Sequence, residues 1–151
     1  MSELQILAYM GVSIVLGGIL GYDRERAEKP AGLRTHMLVA GAATLLTALG
    51  NVIVVEIEIR ETTHSVTTDP IRILEAIVTA VGFLGAGTIL RDRNKGEVEG
   101  LTTAASLLFT AGVGISVGLG KFILAVGVTF LGLLILWAAK IAIKSRINAP
   151  E

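Results

Sequence analysis

The chain has 151 residues, 52% hydrophobic and 17% charged, with a formal net charge of zero and a mean hydropathy of +0.72. An ordinary soluble domain carries about 25% charged residues, and the balanced charge removes any electrostatic case for nucleic acid. Cysteine is absent, which excludes disulfides, thiolate metal sites and thiol catalysis together.

A helix rising 1.5 Å per residue crosses a hydrocarbon core of about 30 Å in about 20 residues. Five segments have that length and character: Leu4–Tyr22, Met37–Val55, Ile71–Leu90, Leu101–Leu119 and Phe122–Ile143. The predicted fold is therefore all-α, a polytopic bundle of five transmembrane spans forming one domain over 1–151. Met1-Ser2-Glu3 has no Lys or Arg and no small-residue cleavage site follows, so the first span is expected to be retained rather than removed as a signal. It runs into DRERAEKPAGLRTH (Asp23–His36), the densest polar segment of the chain. After the second span, Glu56–Thr68 reads as a long polar loop, with His64 solvated in it. Asp69-Pro70 reads as an N-cap and first helical residue for the third span. In its first turns, Arg72 and Glu75 are spaced as a helix-surface ion pair at the outer interface; a proton or cation ligand is the sharper alternative for Glu75. The fourth and fifth spans are separated only by Gly120 and Lys121, which predicts a tight helical hairpin. Tyr22 and Trp137 suit interfacial belts.

Orientation follows from the thirteen Lys and Arg residues. With the N-terminus outside and the C-terminus cytoplasmic, the inner segments hold Arg24, Arg26, Lys29, Arg34, Arg91, Arg93, Lys95, Lys140, Lys144 and Arg146. The outer ones hold only Arg60, Arg72 and Lys121. The two inner loops also echo each other. GILGYDR (Gly18–Arg24) leads to GLRT (Gly32–Thr35), and GTILRDR (Gly87–Arg93) leads to GLTT (Gly100–Thr103), at offsets of 69 and 68. The echo is either chance or a parallel duplication of spans one–two and three–four about an axis along the membrane normal.

Ionisable residues at the membrane edge are a functional hypothesis by default. Asp23, Arg24 and Glu25 leave the membrane together, Arg34, Thr35 and His36 re-enter it, and Thr102 and Thr103, with Ser106 a turn later, start the fourth helix on the same side. The plainer reading is a set of positive-inside anchors with counter-ions, and hydroxyls that cap or bond back to the helix. Gly17, Gly21, Gly82, Gly85, Gly87, Gly114 and Gly118 read as close helix crossings, within the chain or in a dimer. A central carboxylate relay is missing, and so are H-E-x-x-H, G-x-S-x-G and Walker motifs. An enzyme is not expected.

Three stretches, Leu16–Ala43, Asp69–Leu90 and Glu99–Ala125, contain AGLRTH, GFLGAG and GLTTAAS in that order. Through them nearly the whole chain resembles the N-terminal membrane domain of the MgtC/SapB family. The resemblance implies a multi-pass protein of the bacterial cytoplasmic membrane, linked to growth in low magnesium and, in several members, to survival inside host cells. It implies weight for Asp23, Arg24, Glu25, Ala31, Gly32, Leu33, Arg34 and Thr35, and for Gly82, Phe83, Leu84, Gly85, Gly87, Gly100, Leu101, Thr103 and Ala104. Many members continue into a soluble ACT-like domain; the sequence stops eight residues after its fifth span, so that domain's function is expected to be absent. Some members have Asn at Thr102, Gln at Ala76, or Trp where Leu108 stands.

Two readings follow. In the first, the protein handles Mg²⁺ or another small ion, with Asp23 and Glu25 as the plausible inner ligands, since Mg²⁺ is held by one or two carboxylates plus waters. In the second, a regulatory subunit packs on another membrane complex such as F-type ATP synthase. Family naming favours the first; the shortage of intramembrane ion ligands favours the second. No cofactor is expected, and Mg²⁺ is not shown by the sequence. The expected partners are the lipid bilayer, a second copy (a dimer) or another membrane protein, and no nucleic acid.

Overall fold

The computed structural model describes residues 1–60, 69–91 and 98–147. Five helices are present: α1 (Glu3–Arg26), α2 (Leu33–Arg60), α3 (Ile71–Gly87), α4 (Leu101–Gly118) and α5 (Phe122–Ile147). Between α3 and α4 lie two short strands, β1 (Leu90–Arg91) and β2 (Val98–Glu99), paired antiparallel with Leu90 opposite Glu99. α1, α2 and α4 are long and apolar enough to cross a membrane, and Phe122–Ala138 is a shorter apolar run within α5.

Local chemistry sets the helix ends. Ser2 accepts the Gln5 amide at 3.3 Å and opens α1, with Glu3 placed favourably against the helix dipole. α3 starts one residue later than the sequence suggests, with Pro70 at the N-cap position and Ile71 first in the helix; Asp69 Oδ1, just ahead of it, accepts the Ile71 amide at 3.0 Å. α3 stops at Gly87, short of the expected Leu90, because the Thr88 hydroxyl and amide both turn back to Gly85 O, at 2.8 and 2.9 Å. The next residues then extend into β1, an element the apolar run did not reveal. Gly100 follows β2 at φ +90°, and a Cβ there would collide with Thr88 O. Only glycine permits that turn into α4. At the far end, Lys121 N reaches Ser116 O and Gly120 N reaches Val117 O, both at 2.8 Å, with Gly120 at φ +72°. This six-to-one closure gives the predicted α4–α5 hairpin. α2 continues to Arg60, so the front of the expected outer loop is helical; Glu61–Thr68, with His64, falls outside the described residues, as do Arg93 and Lys95.

α4 is the centre and packs against all four other helices. One side joins α2 and α3 through Val39, Ala43, Ile77, Val81, Leu107 and Ala111. The other joins α1 and α5 through Leu20, Val113, Val117 and Ala125. Distribution of polarity is inverted relative to a soluble protein. Large aliphatic and aromatic side chains such as Leu4, Leu38, Phe83 and Ile123 are exposed, while Ser13, Thr44, Thr47, Thr103, Thr110, Ser116 and Thr129 are buried. A surface this apolar has no stable contact with water and matches lipid. Inside, small residues let backbones approach. Ser13, Thr44, Thr110, Ser116 and Thr129 bond back to carbonyls three or four residues earlier, as expected for hydroxyls in helices.

Candidate functional site

α1 and α2 meet on glycines. A Cβ on Gly17 would stand 2.7 Å from Ala40 Cβ and from His36 O; one on Gly21 would stand 2.8 Å from His36 Cβ and Leu33 Cα. With no side chain at either place, α2 presses its first turns onto α1. α4 approaches α2 in the same way, Gly118 lying against Thr47 and Gly114 against Ala40 and Ala43. The three helices enclose a short polar chain near the end of α1 and the starts of α2 and α4.

Arg24 is only 5% exposed, and its Nη2 donates to Thr103 Oγ1 at 3.0 Å. Its Nε is buried without a hydrogen-bond partner, and the charge of Asp23 acts on it electrostatically. His36 is fully buried. Its Nδ1 lies 2.9 Å from Gly32 O and its Nε2 lies 3.1 Å from Ser106 Oγ. A carbonyl only accepts, so Nδ1 carries a proton. The neutral ring then accepts from Ser106 at Nε2, and the imidazolium instead donates to it. Ser106 has one proton and a second partner, Thr103 O at 2.8 Å. Protonation of His36 would therefore hand that hydroxyl from the ring to Thr103 O, coupling α2 to α4.

The motif AGLRTH is thus read out residue by residue. Ala31 is buried against the α2–α4 cluster, Gly32 supplies the acceptor for His36, and Leu33 N donates to Glu25 Oε2 at 2.8 Å. Arg34 turns outward, Thr35 is half-buried, and His36 enters the core. Of the residues expected to form one cluster, the structure joins Arg24, His36 and Thr103. Glu25 is engaged as the cap of α2. Thr102 is exposed and lines an apolar groove between α4 and α5 with Leu20, Phe109 and Ile135. Thr44 escaped notice in the sequence, yet its hydroxyl lies 2.8 Å from Gly114 O and stitches α2 to α4. Its only signal was position, two turns after His36 on the same face.

Two other expectations are corrected. Gly82 and Gly87 are exposed, and an added Cβ would meet nothing within 4 Å. They make no close crossing within the chain, because α3 turns that face away from α4; Gly85, against Ala104 at 3.2 Å, is the α3 glycine that does. Arg72 and Glu75 are both exposed, and among the described residues no ion pair joins them.

Among the described residues no group of three His, Asp or Glu side chains gathers. Glu25 is already bonded to Leu33 N, and the Arg24 guanidinium lies between Asp23 and Glu25 in sequence and inside the core in space.

The model of the MgtC family matches residues 10–144. The chain is 38% identical to Protein MgtC of Salmonella typhimurium over 123 residues, 79% of this chain and 46% of that protein. It is 34% identical to Protein SapB of Bacillus subtilis over 78% of this chain and 49% of that one. It is 37% identical to the putative magnesium transporter YhiD of Escherichia coli over 79% and 53%. The chain thus spans about half the length of the curated relatives it matches. No solved structure matches it.

Proposed function

The chain belongs to the MgtC family, and from that premise we propose that it is a magnesium-linked, multi-pass protein of the bacterial cytoplasmic membrane that acts on other membrane machinery instead of conducting Mg²⁺ through its own α1–α2–α4 core. The observation that carries this is the Arg24 guanidinium, buried and bonded to Thr103 across the α1–α4 contact. At an effective dielectric of about 20, a fixed unit charge repels a divalent ion 5 Å away by about 7 kcal/mol. Carboxylates would have to outweigh that; the charge of Asp23 acts on Arg24 and offsets part of it, while Glu25 is turned to the start of α2, where it accepts from Leu33 N.

The proposed topology is five spans with the N-terminus outside and the polar chain at the cytoplasmic face, supported by the charge asymmetry of the loops. α3 has 17 residues and spans with help from the residues flanking it. The proposed duplication is supported by one correspondence: Gly17 packs on His36, and Gly85 packs on Ala104. Both members of the second contact lie 68 positions after those of the first.

A transport reading keeps one specific support, the naming of the Escherichia coli relative YhiD as a putative magnesium transporter. Proteoliposomes containing a Mg²⁺-sensitive dye separate the two. The expected result is a flux equal to that of protein-free vesicles. A protein-dependent Mg²⁺ flux abolished by Thr103→Val would establish transport and end the regulatory reading.

A further inference from the structure

On the side of the α1–α2 pair away from α4 runs an open groove of about 560 Å³, within the range of small-ligand sites. Its walls are Met10 and Ile14 of α1 and Met37, Leu38 and Leu45 of α2; Gly41 and Ala42 leave it deep. Its lining has one charged group, Arg34, at the end nearest the polar chain. From Arg34 to Leu45 is eleven residues, a rise of about 16 Å. That is close to half of a hydrocarbon core of about 30 Å. An apolar channel one leaflet deep, with a cation at its mouth, has the dimensions and polarity of a single phospholipid.

We propose that this groove holds an anionic phospholipid of the cytoplasmic leaflet, with one acyl chain along Met37, Gly41 and Leu45 and the headgroup phosphate at Arg34. The assignment of leaflet rests on the proposed orientation. Arg34 suits the phosphate because its stem runs along the apolar wall while the guanidinium offers paired donors at the surface. Its position, two residues before His36, ties headgroup binding to the start of α2, whose amide end is held by Glu25. The lipid would therefore brace the helix that carries the buried histidine.

The test uses the full chain in a detergent that permits native mass spectrometry, with equal amounts of phosphatidylglycerol and phosphatidylcholine. Retention should favour phosphatidylglycerol by about fivefold, the factor that ~1 kcal/mol per cation near an anionic surface corresponds to. Arg34→Gln should abolish the preference and Arg34→Lys should keep most of it. Ala42→Trp, which fills the groove at an exposed position, should lower retention of both lipids. Equal retention of the two by the unmodified chain would overturn the proposal, and so would a preference surviving Arg34→Gln. A shift of Ala42→Trp from dimer to monomer with no change in lipid retention would instead assign the groove to a second copy. Orientation is read separately. The chain has no cysteine, so Lys29→Cys gives one label site; labelling from outside would remove the leaflet assignment and leave the groove's lipid preference to stand or fall by itself.

Discussion

α3 and α4 both carry glycine-rich sequences, GFLGAG in one and AGVG in the other, yet they meet different surroundings. α4 buries ten of its eighteen residues and packs against each of the other four helices. α3 buries Ile77, Val81 and Gly85, half-buries Ile73 and Leu74, and leaves most of its other residues exposed. Glycine therefore has two meanings here. At Gly114 and Gly118 of α4, and at Gly85 of α3, it is the absence of a side chain where a neighbouring helix lies; at Gly82 of α3, as at Gly112 of α4, it is an open position whose backbone freedom weakens the helix.

The sharpest way to break this contrast is to add the same bulk to each. Gly114→Leu drives a side chain into Ala40 and Ala43 of α2, and overpacking against backbone costs about 3 kcal/mol or more. Loss of a folded species in detergent is the expected outcome. Gly82→Leu should leave the thermal midpoint unchanged or raise it, since helix propensity favours Leu by about 1 kcal/mol. Equal damage from both would mean that α3 buries that face against a second copy.

A smaller effect should come from the polar chain. His36→Leu removes the ring's hydrogen bonds to Gly32 O and Ser106 Oγ, while Gly32 O keeps the backbone amide of residue 36; two buried hydrogen bonds lost at about 1 kcal/mol each cost about 2 kcal/mol. Glu75→Gln, exposed on α3, should change stability by less than about 0.5 kcal/mol. Unfolding titrations of the two variants in mixed micelles make the comparison. A larger loss at Glu75 than at His36 would reverse the order of importance assigned to the two helices.

Effects between those of His36→Leu and Glu75→Gln lie in the loop between α1 and α2. Glu25→Ala removes the acceptor of Leu33 N and should destabilise by about 1 kcal/mol, the usual value of a helix cap. Three residues on, Glu28 sits at φ +53°. A left-handed conformation costs a residue with a side chain about 1 kcal/mol, so Glu28→Gly should stabilise by a similar amount. Opposite shifts of the melting temperature check both, and same-sign shifts would contradict the cap, the strain, or both.

Much of the fold was legible in the chain. Apolar runs located all five helices, Asp69-Pro70 marked the start of α3, and Gly120-Lys121 marked the α4–α5 turn. Runs of this kind are readable because a lipid-facing helix needs them along its whole length. The limits were also physical. Hydropathy continues through Thr88–Leu90, so it could not show that the Thr88 hydroxyl ends α3 early and lets the chain extend into β1. The candidate site was legible as a region but not as a network. Arg24, Glu25, Arg34, His36, Thr102 and Thr103 all stood at one membrane edge. Their directions depend on helix rotation, which a composition almost uniformly apolar around each helix does not reveal.

What the sequence determined alone is the membrane character, the number and order of the helices, the family, and the clustering of charge in the segment Asp23–Arg34. Each is a property of runs and motifs, additive along the chain. Tertiary structure alone decided which groups share a space: Arg24 with Thr103, His36 with Ser106, Glu25 on the start of α2, Arg34 at the mouth of a groove, Gly85 inward and Gly82 outward. Those assignments turn on helix rotation and on backbone approach of a few ångströms, set when α1 and α2 close on their glycines against α4.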